Sequence, residues 1–169
     1  LLNDTLQINT YGCSTFLNGN YTVGSGKDFS SLNDVYTILH FCGVSGPVTF
    51  LLDSGTYSNI DIDEIFPGSS ITNKITLTSA SGDSNDVVFT STSTGISFEG
   101  AAHIILHKIG IDVTSGTIGI QFIGYNEDIQ ISNCLIKAST TSSSNYRGIS
   151  RDNAASPMSD IRILNNNID

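Results

Sequence analysis

The chain has 169 residues, which fits one domain. Its 16 acidic residues outnumber its 7 Lys and Arg residues, and the formal net charge is -9. This charge argues against nucleic acid and anionic membranes as partners, because both repel an acidic protein. No apolar run approaches the ~20 residues of a membrane-spanning helix, so we expect no membrane insertion.

The acidity has two explanations. The first is solubility, which we favour. The second is calcium binding by loop carboxylates, which requires six or more oxygens converging on one point. The candidate ligands are Asp61, Asp63, Glu64, Asp83 and Asp86. Since their spacing alone does not show convergence, we assign no metal site and keep calcium as the alternative.

The N-terminal region predicts short lead-in strands. Leu6–Ile8 and Tyr21–Val23 alternate apolar and polar residues, and the turn-rich segment Asn18–Asn20 lies between them. The chain begins with Leu1 rather than Met and shows no signal peptide, so we expect a processed or excised piece of a larger protein. Two cysteines of this region, at positions 13 and 42, could pair in an oxidising compartment, and their pairing stays open.

One segment has helical periodicity. Its apolar residues form a single stripe: Phe29, Leu32, Val35, Tyr36 and Leu39. Ser30 or Ser31 can serve as the N-cap, with Asp34 placed as in a capping box. Gly43 is placed to end the helix. We predict a helix from Ser31 to about residue 39.

A lone amphipathic helix before a series of strands can cover the open end of the first coil. The covering residues are expected to be Leu32, Tyr36 and Leu39. We therefore assign residues 1–46 to N-terminal strands and a capping helix. Residues 47–169 are assigned to repeated coils of strands, here called rungs.

Five apolar pairs recur along the chain, at offsets of 27, 29, 25 and 32 residues. They are Val48/Phe50, Ile75/Leu77, Ile104/Leu106, Ile129/Ile131 and Ile161/Ile163. Each pair skips one residue, so both side chains point to the same side of a strand. Repeats of this length predict a solenoid in which each rung buries its apolar face against the next.

Later repeats share a fuller template. Gly95–Phe98 matches Gly119–Phe122 and, more loosely, Gly148–Arg151. After the apolar pair of each of these three repeats, a further isoleucine follows at the same spacing: Ile111, Ile136 and Ile168. We interpret the three glycines as turn formers. Several strands per repeat fit a parallel β-helix better than a sandwich, which does not require equivalent patterns at this spacing. The predicted fold is all-β, with about five rungs, the last incomplete, behind a capping helix.

Two asparagines, Asn133 and Asn165, align at the corner after the strand. Stacked asparagines can hydrogen-bond the backbone of a tight turn and each other, so we assign them a structural role. The neighbouring Cys134 has Ile109 and Asn166 as its counterparts. We therefore predict a packed, unreactive thiol.

Several of these segments together resemble a known superfamily. They are GKDFSSLNDVYTIL, GVSGPVTFLLDSGTY, ITNKITLTSASGD, DIQISNCLI and DIRILNNNI. Over residues 20–169 the chain resembles the pectin-lyase-like right-handed parallel β-helix superfamily, in particular the N-terminal end of β-helix regions in large secreted or surface-anchored bacterial proteins. That superfamily contains lyases, hydrolases, esterases, tailspikes and adhesins, so the resemblance specifies a fold and leaves the activity open.

The resemblance implies that chemistry, where present, lies on one exposed sheet. Stacking at ~4.8 Å per rung would place His103, Asp128 and Asp160 in one column. Arg162 would lie one column over, beside Gln130. These five residues are our candidate ligand-binding set, since an imidazole and carboxylates can act as acid and base or bind a metal. The alternative is a solvated polar face, and we assign no catalytic residue.

The functional expectation is an extracellular or cell-surface module whose polar face contacts a glycan or another surface protein without catalysis. The alternative is a polysaccharide lyase or glycoside hydrolase whose site lies partly beyond this segment, and a third reading is a structural stalk. The absence of Trp lowers the expectation of a sugar cleft. The fifth rung has no closing element after Ile168, so we expect further rungs or another chain to cover that end.

Overall fold

The computed structural model describes Cys13 and residues 16–113, 116–137, 146–152 and 157–169. Over these residues the chain forms a parallel β-helix of about five rungs with one helix. In chain order the elements are β1 (Leu17–Val23), α1 (Leu32–Cys42), β2 (Val44–Leu52), β3 (Gly55–Ser58), β4 (Ile60–Ile62), β5 (Ile75–Ser79), β6 (Val87–Thr90), β7 (Thr94–Glu99), β8 (Ala102–His107), β9 (Gly110–Asp112), β10 (Ile118–Ile123), β11 (Asn126–Ser132), β12 (Leu135–Lys137), β13 (Arg147–Arg151), β14 (Met158–Leu164) and β15 (Asn167–Ile168). The predicted strand Leu6–Ile8 lies outside the described residues.

Three parallel sheets form the walls of the coil. The six-stranded sheet has the order β1-β2-β5-β8-β11-β14, the five-stranded sheet β15-β12-β9-β6-β3, and the four-stranded sheet β13-β10-β7-β4. Each of the first four rungs contributes one strand to each wall in turn, and the described part of the fifth contributes β14 and β15 to two walls. One apolar core runs along the interior and includes the helix.

The five apolar pairs stack as predicted. In the six-stranded sheet Val48 pairs with Ile75, and the column continues through Ile104, Ile129 and Ile161. The second member of each pair stacks in the same way, in the order Phe50, Leu77, Leu106, Ile131, Ile163. The predicted matches from residue 96 to 120 to 149 and from 111 to 136 to 168 are also register partners.

The three template glycines lie inside strands β7, β10 and β13, so the turn interpretation was wrong. A Cβ atom on Gly95 would lie 2.6 Å from Cγ2 of Ile111 across the interior. The equivalent distances are 2.6 Å from Gly119 to Ile136 and 2.5 Å from Gly148 to Ile168. Glycine is therefore required by close packing against the facing isoleucine in three successive rungs.

The helix forms with the predicted caps. Ser31 is the N-cap, where the Asp34 backbone N–H donates to Ser31 Oγ (3.2 Å) and the serine hydroxyl donates to Asp34 Oδ2 (2.9 Å). Gly43 ends the helix at φ 65°. The helix continues one turn past the predicted end at Leu39, to Cys42.

The buried stripe of the helix differs from the predicted one. Its four buried residues are Val35, Ile38, Leu39 and Cys42, whereas Leu32 and Tyr36 are only half-buried. A reason for this rotation is that Cys42 forms a disulfide with Cys13, with a Cα–Cα distance of 5.2 Å, which holds that side of the last turn inward. This disulfide resolves the pairing that the sequence left open.

The predicted turn Asn18–Asn20 is instead part of β1, which pairs in parallel with β2. The strand accommodates the turn-prone residues through an irregularity between Leu17 and Gly19, and Gly19 has a φ of 95°. The N-terminal segment thus adds a strand to the same sheet as the rungs.

Candidate functional site

The outer face of the six-stranded sheet carries two columns of side chains, because alternate residues of each strand point outward. The register gives the first column as Asn20, Thr49, Thr76, Ile105, Gln130 and Arg162, and the second as Thr22, Leu51, Thr78, His107, Ser132 and Leu164. We call these two columns the outer face. Hydroxyl, amide, imidazole and guanidinium groups dominate it, with three aliphatic side chains among them.

A third column lies at the start of the strands and contains three of the candidate site residues. His103, Asp128 and Asp160 all have left-handed backbone conformations, with φ of 62°, 49° and 55°. Asp and His are among the residues that tolerate this conformation best. The left-handed backbone conformation is therefore a structural reason for the presence of His and Asp at these positions.

Asp128 is the centre of a cluster that the sequence predicted only in part. His103 Nδ1 lies 3.0 Å from Asp128 Oδ2, as the predicted column requires. The ammonium group of Lys74 donates to Asp128 Oδ1 at 2.5 Å. We call these three residues the Asp128 cluster.

Asp128 was expected on an exposed face, but it is only 5% exposed. Lys74 and His103 cover it, with their side chains 20% and 18% exposed. The sequence reasoning missed Lys74, although a signal was present. Lys74 precedes Ile75 just as His103 precedes Ile104, so it occupies the same position in the preceding rung.

The charge state of Asp128 follows from these contacts. Burial favours the neutral acid and would raise its pKa, but hydrogen bonds and charge from Lys74 and His103 outweigh burial and hold the pKa below its usual value. Asp128 is thus a paired carboxylate, which makes it a poor general acid at neutral pH.

The other candidates take different partners. Asp160 forms an exposed ion pair with Arg162, with nitrogen–oxygen distances of 2.9 and 3.1 Å. Gln130 is the register partner of Arg162, as predicted, and its amide donates to Ser132 Oγ at 3.2 Å. The predicted set is therefore divided into three: His103 and Asp128 in the Asp128 cluster, the exposed pair Asp160–Arg162, and Gln130 bound to Ser132.

A histidine on the outer face was not among the candidates. His107 Nδ1 lies 3.0 Å from Ser132 Oγ, which also accepts from Gln130. Burial, with a smaller effect from the charge of Lys108, lowers the pKa of His107 below its usual value. His107 is therefore biased towards the neutral imidazole, which can both donate and accept a hydrogen bond.

The corner asparagines lie where the alignment placed them. Asn133 and Asn165 both have a φ of 54°, so they serve the left-handed corner itself. The hydrogen bonds between rungs come from a different residue, Asn166. Its amide accepts from the Cys134 backbone N–H (2.8 Å) and donates to the Ile131 carbonyl (2.9 Å).

A second bridging asparagine, Asn126, is fully buried and was also missed. It accepts from the Ala101 backbone N–H at 3.1 Å and donates to the Ile123 carbonyl at 2.9 Å. Cys134 is the packed thiol that its repeat position predicted, since it is buried and burial raises its pKa to about 11.

The five acidic calcium candidates form three separate sets of contacts: Asp61, the neighbours Asp63 and Glu64, and the turn that holds Asp83 and Asp86. Ser97 donates to Asp61 at 2.5 Å, the phenol of Tyr36 donates to Asp63, and Glu64 lies 2.7 Å from Nδ1 of His40. Another candidate, Asp83, accepts from Asn85 within its own turn. In the described part of the chain, no three His, Cys, Asp or Glu residues come together as a metal site.

Comparison with known proteins gives no relative: no protein-family model, no curated protein and no solved structure matches this chain. Within the described ranges, no helix has the length and apolar character needed to cross a bilayer. Functional inference therefore depends on the geometry of the molecule.

Proposed function

We propose that this chain is an extracellular, non-catalytic β-helix module of a bacterial surface or secreted protein, and that its outer face contacts a glycan or another surface protein. The observation that carries this proposal is the register of the six-stranded sheet, which is continuous from β2 to β14. It stacks side chains at ~4.8 Å intervals, and most of them carry hydrogen-bonding groups, although Thr78 and Ser132 are buried. Such a wall presents several weak polar contacts at once with little conformational entropy to lose.

The chemistry of the outer face favours binding over catalysis. Hydrolysis of a glycosidic bond typically uses two carboxyl groups on either side of it. Here the buried carboxylate, Asp128, is held by Lys74 and His103, while Asp160 is held by Arg162. Both carboxylates already have cationic partners, so a substrate would have to displace an ion pair to use either.

The disulfide supports the extracellular assignment. Cys13 and Cys42 are joined, and disulfides persist mainly in oxidising compartments. The resemblance to the pectin-lyase-like superfamily, which includes secreted and surface-anchored proteins, points the same way.

A glycan array tests the proposal with two matched double variants. Gln130→Ala/Arg162→Ala removes an amide and a guanidinium from the outer face. Gln121→Ala/Arg147→Ala removes the same two groups from β10 and β13 of the four-stranded sheet. We expect the first variant to lower binding of a wild-type ligand by about tenfold or more, and the second to stay within about twofold.

Equal losses in both variants would show that the outer face is not the binding surface. Absence of binding by the wild type on glycan and surface-protein arrays would contradict the binding function. Shortening of a polysaccharide by the wild type would replace the proposal with the enzymatic alternative.

A further inference from the structure

A cavity of about 630 Å³ lies between the capping helix and the first rung. The helix contributes Leu32, Val35 and Leu39 to its wall. Facing residues come from three successive rungs: the apolar Ile60, Ile62, Phe66, Ile75, Leu77 and Ile104, with Tyr57 and the polar Thr56, Ser58, Asn59, Asp61 and Asp63 beside them. A cavity of this size and character falls within the range of small-molecule sites, and apolar cavities of proteins accept apolar guests.

The cavity follows from the way the helix closes the coil. Among the described residues, β3 and β4 end their sheets on this side, so α1 lies where further strands would stand. A helix presents one stripe of side chains, and the buried stripe of α1 runs through Val35, Ile38, Leu39 and Cys42. The half-buried Leu32 and Tyr36 then leave the interior beside them incompletely filled.

A smaller cavity of about 390 Å³ adjoins the first and shares Tyr36 and Asp63 with it. Its other lining residues are Thr37, His40, Phe41 and Glu64. Two carboxylates thus stand beside two aromatic rings, and Phe41 is 68% exposed. Neither set of lining residues includes a Lys or Arg, and the one basic side chain, His40, has its Nδ1 2.7 Å from Glu64.

We propose that the two cavities together bind a cationic amphiphile, with its apolar chain in the larger cavity and its amine in the smaller one. Carboxylates and aromatic faces both attract an ammonium group. The carboxylate of a fatty acid would be repelled by Asp63 and Glu64, and an alcohol would gain only a hydrogen bond. This inference is independent of the outer face, which lies on a different part of the molecule.

Calorimetric titration with octylamine, octanol and octanoate tests the proposal, because the three probes share one chain and differ in the head group. We expect saturable binding in the order amine, alcohol, carboxylate, with about tenfold between amine and carboxylate. Octanoate binding as tightly as octylamine would overturn the assignment of the head group. Absence of saturable binding by all three would overturn the site.

Two variants test whether the ligand binds in the larger cavity. Ile60→Phe adds bulk to a half-buried wall residue, whereas Ile65→Phe makes the same change at a 50% exposed position outside the lining. We expect the first to weaken binding of octylamine and octanol by about tenfold and the second to leave both unchanged. Leu32→Phe serves as a second filling variant if Ile60→Phe melts before the titration temperature. Equal binding by a folded filling variant and the wild type would overturn the cavity as the site.

The head-group contact has its own variant. Asp63→Asn should weaken octylamine binding several-fold and leave octanol binding within about twofold. Asp152→Asn, at an exposed position directly after β13, provides the matched control. Parallel losses for amine and alcohol would show that Asp63 shapes the cavity without recognising charge.

Discussion

Two rungs of the same column show what burial in a coil depends on. Ile131 and Ile163 are register partners with the same side chain on the same inner wall. Ile131 is fully buried, whereas Ile163 is 48% exposed and Ile168, on another wall of the same rung, is 49% exposed. At the first rung Phe50 is fully buried, because β1 pairs beside it and the helix packs over the interior. A solenoid residue thus contributes stability through the rungs on both sides of it.

The strongest test of this comparison is one substitution made in two rungs. Ile131→Ala should lower the free energy of unfolding by about 2–5 kcal/mol, since it leaves a cavity in a packed column. Ile163→Ala should lower it by less than about 1 kcal/mol, because half of that side chain already contacts water. Urea unfolding of both variants measures the difference. Equal losses would mean that the fifth rung is as well packed in solution as the fourth.

The second test concerns what holds the helix over the first rung. Cys13→Ala/Cys42→Ala should lower the free energy of unfolding by about 2–4 kcal/mol, because the cross-link restricts the unfolded chain. The control is the wild type under reducing conditions, which should unfold with the double variant. A double variant as stable as the oxidised wild type would show that packing of Val35 and Leu39 alone holds the cap.

The third test compares an ion pair inside the coil with one on the fifth rung. Lys74→Met leaves Asp128 buried with only His103 as partner, so we expect a loss of about 1–3 kcal/mol at neutral pH. Arg162→Met removes the exposed partner of Asp160 and should cost about 0.5 kcal/mol or less. Thermal melts of both variants at neutral pH measure the two losses.

The pH dependence distinguishes charge pairing from packing in the Asp128 cluster. The pKa of Asp128 is lower in the folded protein, so its stabilising contribution is present above the unfolded value of about 4 and is lost as pH falls through the folded value. Lys74→Met should therefore flatten the loss of stability below about pH 4. If the variant loses stability at acid pH as steeply as the wild type, Lys74 stabilises the fold only through packing of its aliphatic stem.

The sequence was sufficient for the fold because inward-facing residues repeat from rung to rung. An inward-facing residue packs against equivalent residues of the rung before and the rung after. The isoleucine and leucine pairs therefore recur along the sequence at the length of the repeat. The glycines were misinterpreted for the opposite reason. What Gly95 avoids is the Cγ2 of Ile111 on another wall, and the repeat shows that both residues recur without showing that they face each other.

The candidate site was predicted less completely than the fold, because spacing shows neither how far a long side chain extends nor which side of the helix is buried. His103 and Asp128 were placed together because adjacent rungs bring them into contact. Lys74 lies one rung further away and reaches Asp128 through a long side chain, which spacing alone does not reveal. The cavity beside Leu32 depends on which helical stripe faces inward, and the buried stripe, which ends at the disulfide-bonded Cys42, differs from the predicted one.

The residues with a left-handed backbone conformation also determine where the chain can accept inserted residues. In the last three rungs each strand of the six-stranded sheet has one of them near its start and another directly after its end: His103 and Lys108, Asp128 and Asn133, and Asp160 and Asn165. The number of residues between the two left-handed positions is the same in all three rungs. The repeat nevertheless lengthens, from 25 residues between Ile104 and Ile129 to 32 residues between Ile129 and Ile161. All of the added length falls in the connections after β12 and β13. Evolution or a designer can therefore insert whole peptides at those connections while the outer face keeps its dimensions.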